Sequence, residues 1–183
     1  MIDGDNMHRV VIFRDGAEKT LGAIPVSSTE NSDPEYLWER LEAYENQTGG
    51  EVLAIPHNSN LSEGRMYSSE RVSGTIFDTK YAKTRIRWEP VLEMTQVKGD
   101  SETHPLLSPD DPFADFERWD ETDINSNVIP DDKKIEVYTG SYARPALKTG
   151  LAMEESLGVN PFKFGMIGST DSHTVMATAD SDN

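Results

Sequence analysis

The sequence contains no cysteine and only four histidines among its 183 residues. The absence of cysteine excludes disulfides, a thiolate nucleophile, iron–sulfur clusters held by cysteine and every cysteine-based zinc site. Any metal ion must therefore be held by histidine, aspartate or glutamate side chains. The four histidines are His8, His57, His104 and His173.

Positive charge and long apolar runs are also scarce. Seventeen lysine and arginine residues stand against 33 aspartate and glutamate residues, which gives a formal net charge of −16. Such a chain repels nucleic-acid phosphates and anionic lipid headgroups, so we expect neither a nucleic acid nor a membrane as partner. The longest apolar run, residues 10–13, is far shorter than the roughly 18 residues that span a bilayer. No signal peptide is recognisable, and a cytoplasmic or a periplasmic location both remain open.

Short apolar runs alternate with helical patterns along the chain. Strands are predicted at residues 10–13, 52–55, 91–94 and 164–167. One helix is predicted to begin at the capping box formed by Ser32 and Glu35 and to end at Gly49, and a second helix is predicted over residues 141–157. This order predicts an α/β fold with parallel strands. Parallel strands close into a barrel or a doubly wound sheet and carry functional groups at their carboxyl ends.

An irregular acidic insertion interrupts this pattern at about residues 98–134. Nine aspartate or glutamate residues lie between Asp110 and Asp132, against the single Arg118. We interpret the segment as a solvated excursion, with one short helix that starts at residues 111–112 and turns Phe113 and Phe116 inward. For the positive residues of the preceding segment, an exposed helix face is the preferred interpretation and an anion-binding site is the alternative. These residues are Arg65, Arg71, Lys80, Lys83, Arg85 and Arg87.

Two predicted strands are followed by residues that could bind a metal ion. His57 follows the second strand, and Asp171 and His173 follow the last one. Alternation along an extended chain points Asp171 and His173 the same way, where they could hold one hard or borderline cation. The alternatives are a core histidine at position 57 and an Asp–Ser turn beside a surface histidine. Because parallel strands end at one edge, we expect the three side chains to converge.

Longer stretches of the sequence resemble a known family. They comprise residues 8–13, 54–58, 91–94, 95–105, 160–165 and 168–173. Among them, residues 54–58, 91–94 and 168–173 resemble the later motifs of the PHP (polymerase and histidinol phosphatase) superfamily, whose members are metal-dependent phosphoesterases on a distorted (β/α)7 barrel. More specifically, the chain is similar over nearly its whole length to the PHP-like family called domain of unknown function 3604. The resemblance implies a partial barrel of this type.

The resemblance also implies which residues bind metal. His57, Asp171 and His173 match ligands of divalent ions, zinc, manganese or iron, of which a complete protein would hold two or three. Glu93 matches a strand-end glutamate, which would be a metal ligand, a structural carboxylate or, as the preferred interpretation, a group that acts in catalysis by supporting a metal-binding histidine. His8 matches either a histidine near the metals or an ordinary residue at the start of a strand.

Four further residues are implied as substrate contacts or catalytic groups. Lys98, Glu102 and His104 belong to a run that is characteristic of the family and would contact substrate, although a hydrogen-bonded loop is the preferred interpretation around His104. Arg144 lies near a predicted helix start, where it would clamp an anionic substrate or form a surface salt bridge.

The His-x-His motif with which PHP enzymes begin does not occur in this sequence. We therefore expect the chain to be the later part of a longer protein, inactive alone, that either self-associates or pairs with a missing N-terminal part of the barrel. The expected function is hydrolysis of a small anionic ester by metal-activated water, as in phosphoesterases. The alternative is a non-catalytic α/β fragment or binding module with an incomplete metal site.

Overall fold

The structure is a computed structural model that describes residues 7–119, 121–123, 125 and 127–173. Within these residues the chain forms five strands and five α-helices. The strands are β1 Arg9–Phe13, β2 Val52–Pro56, β3 Val91–Gln96, β4 Gly99–Asp100 and β5 Gly165–Gly168. The helices are α1 Ala17–Thr20, α2 Pro34–Thr48, α3 Thr79–Trp88, α4 Lys134–Ser141 and α5 Ala143–Leu157. The α/β class and the four predicted strands are confirmed.

The strands form two small sheets. β1 pairs with β2, and the second sheet has the order β4-β3-β5. Only the β3–β5 pair is parallel, whereas β1–β2 and β3–β4 are antiparallel. The expectation of parallel strands is therefore wrong for β1–β2. In the part of the chain that the structure describes, the two sheets do not close into a barrel.

The antiparallel pairing of β1 with β2 decides which residues meet at the sheet's end. Arg9 lies opposite Pro56, so the start of β1 adjoins the end of β2. The backbone N–H of His57 donates to the carbonyl of His8 at 3.1 Å. The link between the strands holds two helices and a long irregular segment, so the chain can return in either direction. The strand–helix–strand order alone therefore did not determine the pairing.

Helix α2 begins and ends close to the predicted positions. Its N-cap is Asp33, whose Oδ1 accepts a hydrogen bond from the Glu35 N–H at 2.9 Å, and not Ser32. Pro34, in the first turn, has no N–H to offer, so the residue directly before it reaches the next free amide. The helix ends at Gly49, whose φ of 63° is the left-handed conformation that favours glycine.

The predicted helix over residues 141–157 is confirmed as α5, which begins two residues later than predicted and is preceded by the separate helix α4. α4 ends at Ser141, Tyr142 is extended with φ −107° and ψ 149°, and α5 begins at Ala143. The first amides of α5 donate to backbone carbonyls next to β4: Ala143 N–H to Ser101 at 2.9 Å and Arg144 N–H to Glu102 at 3.0 Å. This long-range docking of the α5 N-terminus explains the break, which the local sequence does not indicate.

The main core is aromatic and lies between the helices and both sheets. Trp38 of α2 packs on Tyr81 of α3 with ring centroids 5.2 Å apart, and Phe77 packs on Tyr81 at 4.2 Å. Leu92 of β3 and Phe162 are fully buried in the same cluster. This packing fixes β2 and β3 side by side and so positions the residues that follow β2.

Helix α3 lies in the basic segment of the sequence. It starts at the N-cap Asp78, whose Oδ1 accepts from the Tyr81 N–H at 2.7 Å. Its positive residues divide between two environments, since Arg85 is buried and Arg87 is exposed and pairs with Glu45 at 2.6 Å. The segment is therefore only in part the exposed face that its charge pattern predicted.

The acidic segment is irregular apart from β4, as expected, but its predicted short helix is wrong. Phe113 and Phe116 are 80% and 58% exposed and do not point inward. A turn at this point is favoured by Asp111, whose Oδ1 accepts from the Phe113 N–H at 2.9 Å. Within the described residues, no helix has the length and apolar character needed to cross a bilayer.

Candidate functional site

The residues that follow β2 and β5 were predicted to converge, and Glu93 of β3 contacts both segments. His57 directly follows β2, and its Nδ1 lies 2.7 Å from Oε2 of Glu93, a buried residue of β3. Oε2 also accepts from the Asn58 N–H at 3.2 Å, and Oε1 accepts from the Ser169 hydroxyl. Burial opposes ionisation of this carboxyl, but the hydrogen bonds from His57 and Ser169 outweigh it and lower the pKa of Glu93. Glu93 therefore acts as an ionised acceptor.

This contact determines which ring nitrogen of His57 is available. In the neutral ring, a carboxylate acceptor at Nδ1 favours a proton on Nδ1 and leaves the lone pair on Nε2. The Asn58 side-chain amide lies 3.1 Å from Nε2, in the position of a donor to that lone pair. Nε2 also lies 3.6 Å from Oδ1 of Asp171. The Nε2 side of the ring thus faces a carboxylate oxygen.

Asp171 lies three residues beyond β5 and completes the group. Its Oδ2 contacts the Lys98 ammonium and accepts from Nε2 of Gln96 at 3.2 Å. Burial opposes ionisation here too, but the hydrogen bond from Lys98 and the charges of His57 and Lys98 lower the pKa of Asp171. Its φ of 51° is left-handed, a conformation that is uncommon for residues other than glycine and that is concentrated at functional sites. We call His57, Glu93, Lys98 and Asp171 the strand-end cluster.

His173 lies at the outer rim of this cluster. Its side chain is 80% exposed, and its Nδ1 lies 2.7 Å from the Asp171 carbonyl and 4.0 Å from Asp171 Oδ1. Oδ1 therefore has two imidazole nitrogens within 4.0 Å, those of His57 and His173. Two ligands of one zinc ion are typically about 3.0–3.4 Å apart. Both separations are somewhat longer than that, and no group of three or more His, Asp or Glu side chains in the described residues is arranged to hold a metal ion.

His8 lies beside the cluster through the β1–β2 pairing. Its carbonyl accepts from the His57 amide, as described above. Partial burial and the positive charges of His57, Arg9 and Lys98 lower the pKa of His8. A neutral imidazole at this position is compatible with either of the interpretations that the sequence left open.

Arg144 and Glu102 bind each other. Nε and Nη2 of Arg144 donate to Oε1 of Glu102 at 2.9 and 2.6 Å, and Nη1 donates to Oδ2 of Asp111 at 2.6 Å. Two carboxylates thus surround this guanidinium. The structure places Arg144 in a salt-bridge network, which was the alternative to an anion clamp, and Glu102 is its partner.

His104 is buried in a second aromatic cluster. Its ring centroid lies 4.3 Å from that of Tyr138. Nδ1 accepts from the Leu106 N–H at 3.0 Å, and Nε2 lies 3.2 Å from Nη1 of Arg118. These contacts correspond to the hydrogen-bonded loop that the sequence favoured at this position.

Three residues that sequence reasoning missed support the strand-end cluster: Asn58, Gln96 and Ser169. Asn58 and Ser169 contact Glu93, and Gln96 contacts Asp171. A local signal existed for two of them, since Asn58 follows His57 directly and Ser169 precedes Asp171 by two positions in the same motif. Gln96, at the end of β3, carried no signal.

A second charged group, also missed, lies in the core. Oε1 of Glu89 accepts from Arg9 Nε at 2.9 Å and from Trp38 Nε1 at 3.0 Å, and Oε2 lies 3.2 Å from Arg85 Nη2. Burial opposes ionisation of Glu89, but the charges of Arg9 and Arg85 lower its pKa. We call Arg9, Trp38, Arg85 and Glu89 the Glu89 cluster.

The chain matches a known protein family. The model of the family described as "Protein of unknown function (DUF3604)" matches residues 1–183. Searches of curated proteins and of solved structures found no significant match.

Proposed function

The chain belongs to the family of proteins of unknown function DUF3604, and we propose that its strand-end cluster binds a divalent cation for the hydrolysis of a small anionic ester. His57 and Asp171 would hold the ion, His173 would complete the ligands from the rim, and Glu93 would orient His57. The phosphoesterase type of the reaction follows from the resemblance to the PHP superfamily. The parallel pairing of β3 with β5 is compatible with a PHP-like barrel, which we propose on the same resemblance.

One observation carries the proposal: the Glu93–His57–Asp171 arrangement. A carboxylate on one imidazole nitrogen, with the other nitrogen turned toward a further ligand, is the usual setting of a metal-binding histidine. Here His57 Nδ1 lies 2.7 Å from Glu93 Oε2, and His57 Nε2 lies 3.6 Å from Asp171 Oδ1. Two imidazoles and a carboxylate suit zinc, manganese or iron, the ions that accept both nitrogen and oxygen ligands.

The chemistry that such an ion supplies when bound is a water with a pKa near neutrality and polarisation of an ester oxygen. The protein's own residues prepare the site for it. Glu93 contacts Nδ1 of His57 and so orients the ring with Nε2 toward Asp171. Asp171 remains ionised because Lys98 lowers its pKa. Lys98 is 25% exposed at its side chain and adjoins the open rim, where it can attract an anionic substrate.

The contact between Lys98 and Asp171 favours a second candidate function. An ammonium on Asp171 Oδ2 neutralises the carboxylate without a metal ion. Together with the absence of a complete three-residue ligand group among the described residues, this contact supports a non-catalytic binding module with an incomplete metal site. The two candidates differ in cation binding and in ester hydrolysis.

Metal binding tests the proposal. We expect the purified protein, freed of metal by a chelator, to bind Zn²⁺ or Mn²⁺ in calorimetric titrations, and Asp171→Asn and His173→Ala to bind it at least about tenfold more weakly. Asp131→Asn is the matched control, because Asp131 forms an exposed pair with Lys134. Equal, near-zero binding by the wild type and both site variants would contradict the proposal. Binding without metal-dependent hydrolysis of phosphate and sulfate esters would favour the binding module.

A further inference from the structure

A short stretch of the acidic region exposes three aromatic side chains to solvent. We call residues 110–119 the acidic-aromatic segment. Its aromatic residues, Phe113, Phe116 and Trp119, are 80%, 58% and 48% exposed. Single exposed apolar side chains are ordinary, whereas several close together mark an interaction surface. The chain between Phe113 and Trp119 spans at most about 22 Å, so a single partner segment can contact all three rings.

The backbone of this segment is attached to the rest of the fold. Ala114 is buried between the exposed rings. The carbonyl of Glu117 accepts from the Asp100 N–H at 2.9 Å, and the carbonyl of Trp119 accepts from Nδ2 of Asn60 at 3.2 Å. The rings therefore project from a backbone that is already held in place, so a partner that binds them does not have to order it first.

Carboxylates are interspersed with these aromatic rings. The segment contains four acidic residues and one arginine. Asp110, Asp115 and Glu117 are exposed, and the arginine, Arg118, pairs with Asp115 at 2.5 Å. The negative charge of the segment adds to the net charge of −16 of the whole chain. This surface therefore attracts a positively charged partner and repels nucleic acids and anionic lipids.

Exposed rings beside carboxylates suit guanidinium groups in particular. A guanidinium stacks on an aromatic face and also donates hydrogen bonds to a carboxylate, whereas a lysine ammonium is more strongly hydrated and stacks less well. The chain itself contains this combination. The Arg87 guanidinium lies 4.3 Å from the Trp88 ring centroid and pairs with Glu45 at 2.6 Å. Arginine is therefore the residue that the segment fits best.

We propose that the acidic-aromatic segment is a docking surface for an arginine-rich segment of a partner protein. The guanidinium groups of the partner stack on Phe113, Phe116 and Trp119 and pair with the carboxylates between them. The negative charge supplies the attraction at a distance, and the rings supply the preference for arginine over lysine. This docking does not depend on a cation in the strand-end cluster or on ester hydrolysis.

The experiment compares three fluorescein-labelled hexapeptides: hexaarginine, hexalysine and hexaglutamate. Fluorescence anisotropy titrations with the full chain at physiological ionic strength should show saturable binding of hexaarginine, about 3- to 10-fold tighter than that of hexalysine. Hexaglutamate should not bind. Equal affinities for hexaarginine and hexalysine, or no saturable binding of hexaarginine, would overturn the proposal.

Variants locate the surface. The double variant Phe113→Ser with Phe116→Ser removes two rings and no charge, so it should bind hexaarginine about tenfold more weakly and lose the preference over hexalysine. Ile76→Ser is the matched control, because it removes a side chain that is 76% exposed outside the segment, and it should bind like the wild type. A double variant that keeps both the affinity and the preference contradicts the assignment. If circular dichroism shows that this variant does not fold, the comparison of hexaarginine with hexalysine still decides the proposal.

Sedimentation velocity distinguishes a second copy of the chain as the occupant. We expect the wild type and the double variant to sediment alike, because two surfaces of the same charge repel each other. Self-association of the wild type that the double variant abolishes would show that a second copy occupies the rings, and would overturn the proposal.

Discussion

The Glu89 cluster and the strand-end cluster are each built around a buried glutamate. The two glutamates are close in the sequence but have different kinds of partner. Glu89 ends α3 just before β3, and Glu93 lies within β3 four residues later. Glu89 is bound by two guanidiniums and an indole, with side chains that are 2–4% exposed at its ion pairs. Glu93 is bound by an imidazole, a hydroxyl and a backbone amide, and its partner His57 turns its other nitrogen toward an exposed rim.

The contacts of the two glutamates distinguish a structural charge from a functional one. Glu89 directs all of its contacts into the core, so its role is to hold α2, α3 and β1 together. Glu93 contacts His57, and His57 faces Asp171, whose partners Lys98 and His173 reach the surface. A buried charged group whose partners are all buried indicates a role in stability. A buried charged group that contacts side chains reaching the surface indicates a functional site.

The largest effect is expected when the closed cluster is broken. Glu89→Ala leaves two guanidiniums in the core without a carboxylate, and we expect the free energy of unfolding to fall by about 3–5 kcal/mol. Chemical denaturation monitored by circular dichroism measures this. Glu51→Gln, which breaks an exposed ion pair with Arg14, is the control and should cause no measurable change. A small effect of Glu89→Ala would contradict the structural role of the cluster.

The corresponding change in the open cluster should act on binding more than on stability. Glu93→Gln removes the carboxylate that orients His57, and we expect the affinity for Zn²⁺ or Mn²⁺ to fall about 10- to 100-fold while the fold is retained. Calorimetric titration together with thermal melting separates the two effects. If this variant were destabilised as strongly as Glu89→Ala and bound metal like the wild type, the distinction between the clusters would fail.

Lys98→Met tests what the ammonium does. It frees Asp171 Oδ2, so we expect cation affinity to rise several-fold, because a competing positive charge is removed. Affinity for an anionic ester should fall, because the rim loses its ammonium. The matched control is Lys133→Met, which removes an exposed lysine at the N-cap of α4. A loss of cation affinity in Lys98→Met would show that Lys98 supports the ligand set and does not compete with the ion.

Asp100 differs from Glu93 and Asp171 because its pKa is raised and theirs are lowered. Burial raises the pKa of Asp100 from 3.8 to about 6, against the hydrogen bonds from the Thr103 and Glu102 amides. The contribution of a group with a raised pKa is present at low pH and is lost as the pH rises through the folded value. We therefore expect Asp100→Asn to stabilise the protein by about 1 kcal/mol at pH 8, after allowance for solvent screening, and less at pH 4.

The measurement is denaturation of both proteins at pH 4, 5, 6 and 8. Glu93 and Asp171 have lowered pKa values, so their contribution changes only at acidic pH, where it is lost as the pH falls. A stability difference between wild type and Asp100→Asn that stays constant from pH 4 to pH 8 would refute a raised pKa at Asp100.

Local patterns predicted the elements of this fold, and long-range contacts decided their arrangement. The strand positions and the end of α2 at Gly49 follow from apolar runs and a glycine that accepts a left-handed conformation. The antiparallel β1–β2 pairing and the break at Tyr142 depend on residues far away in the sequence. Neither could be inferred from a single sequence.

The candidate site was predictable in part for the same reason. Placing functional residues after strands brought His57 and Asp171 into one group, which the structure also contains. The partners of the other charged residues were not predictable. The pairing of Lys98 with Asp171 depends on the turn between β3 and β4, and the pairing of Arg144 with Glu102 depends on the docking of α5. Glu89 carried no pattern at all, since a buried charge is recognised only by its partners.

The most direct test of the central claim observes the His57 ring itself. In nitrogen-15 NMR spectra of imidazole-labelled protein, we expect the addition of Zn²⁺ to shift the signal of His57 Nε2 while the proton on Nδ1 remains. Assignment comes from the His57→Gln variant, whose spectrum lacks these signals. A zinc-loaded protein in which the His57 ring carries its proton on Nε2, or signals that do not respond to a saturating concentration of Zn²⁺, would contradict the account.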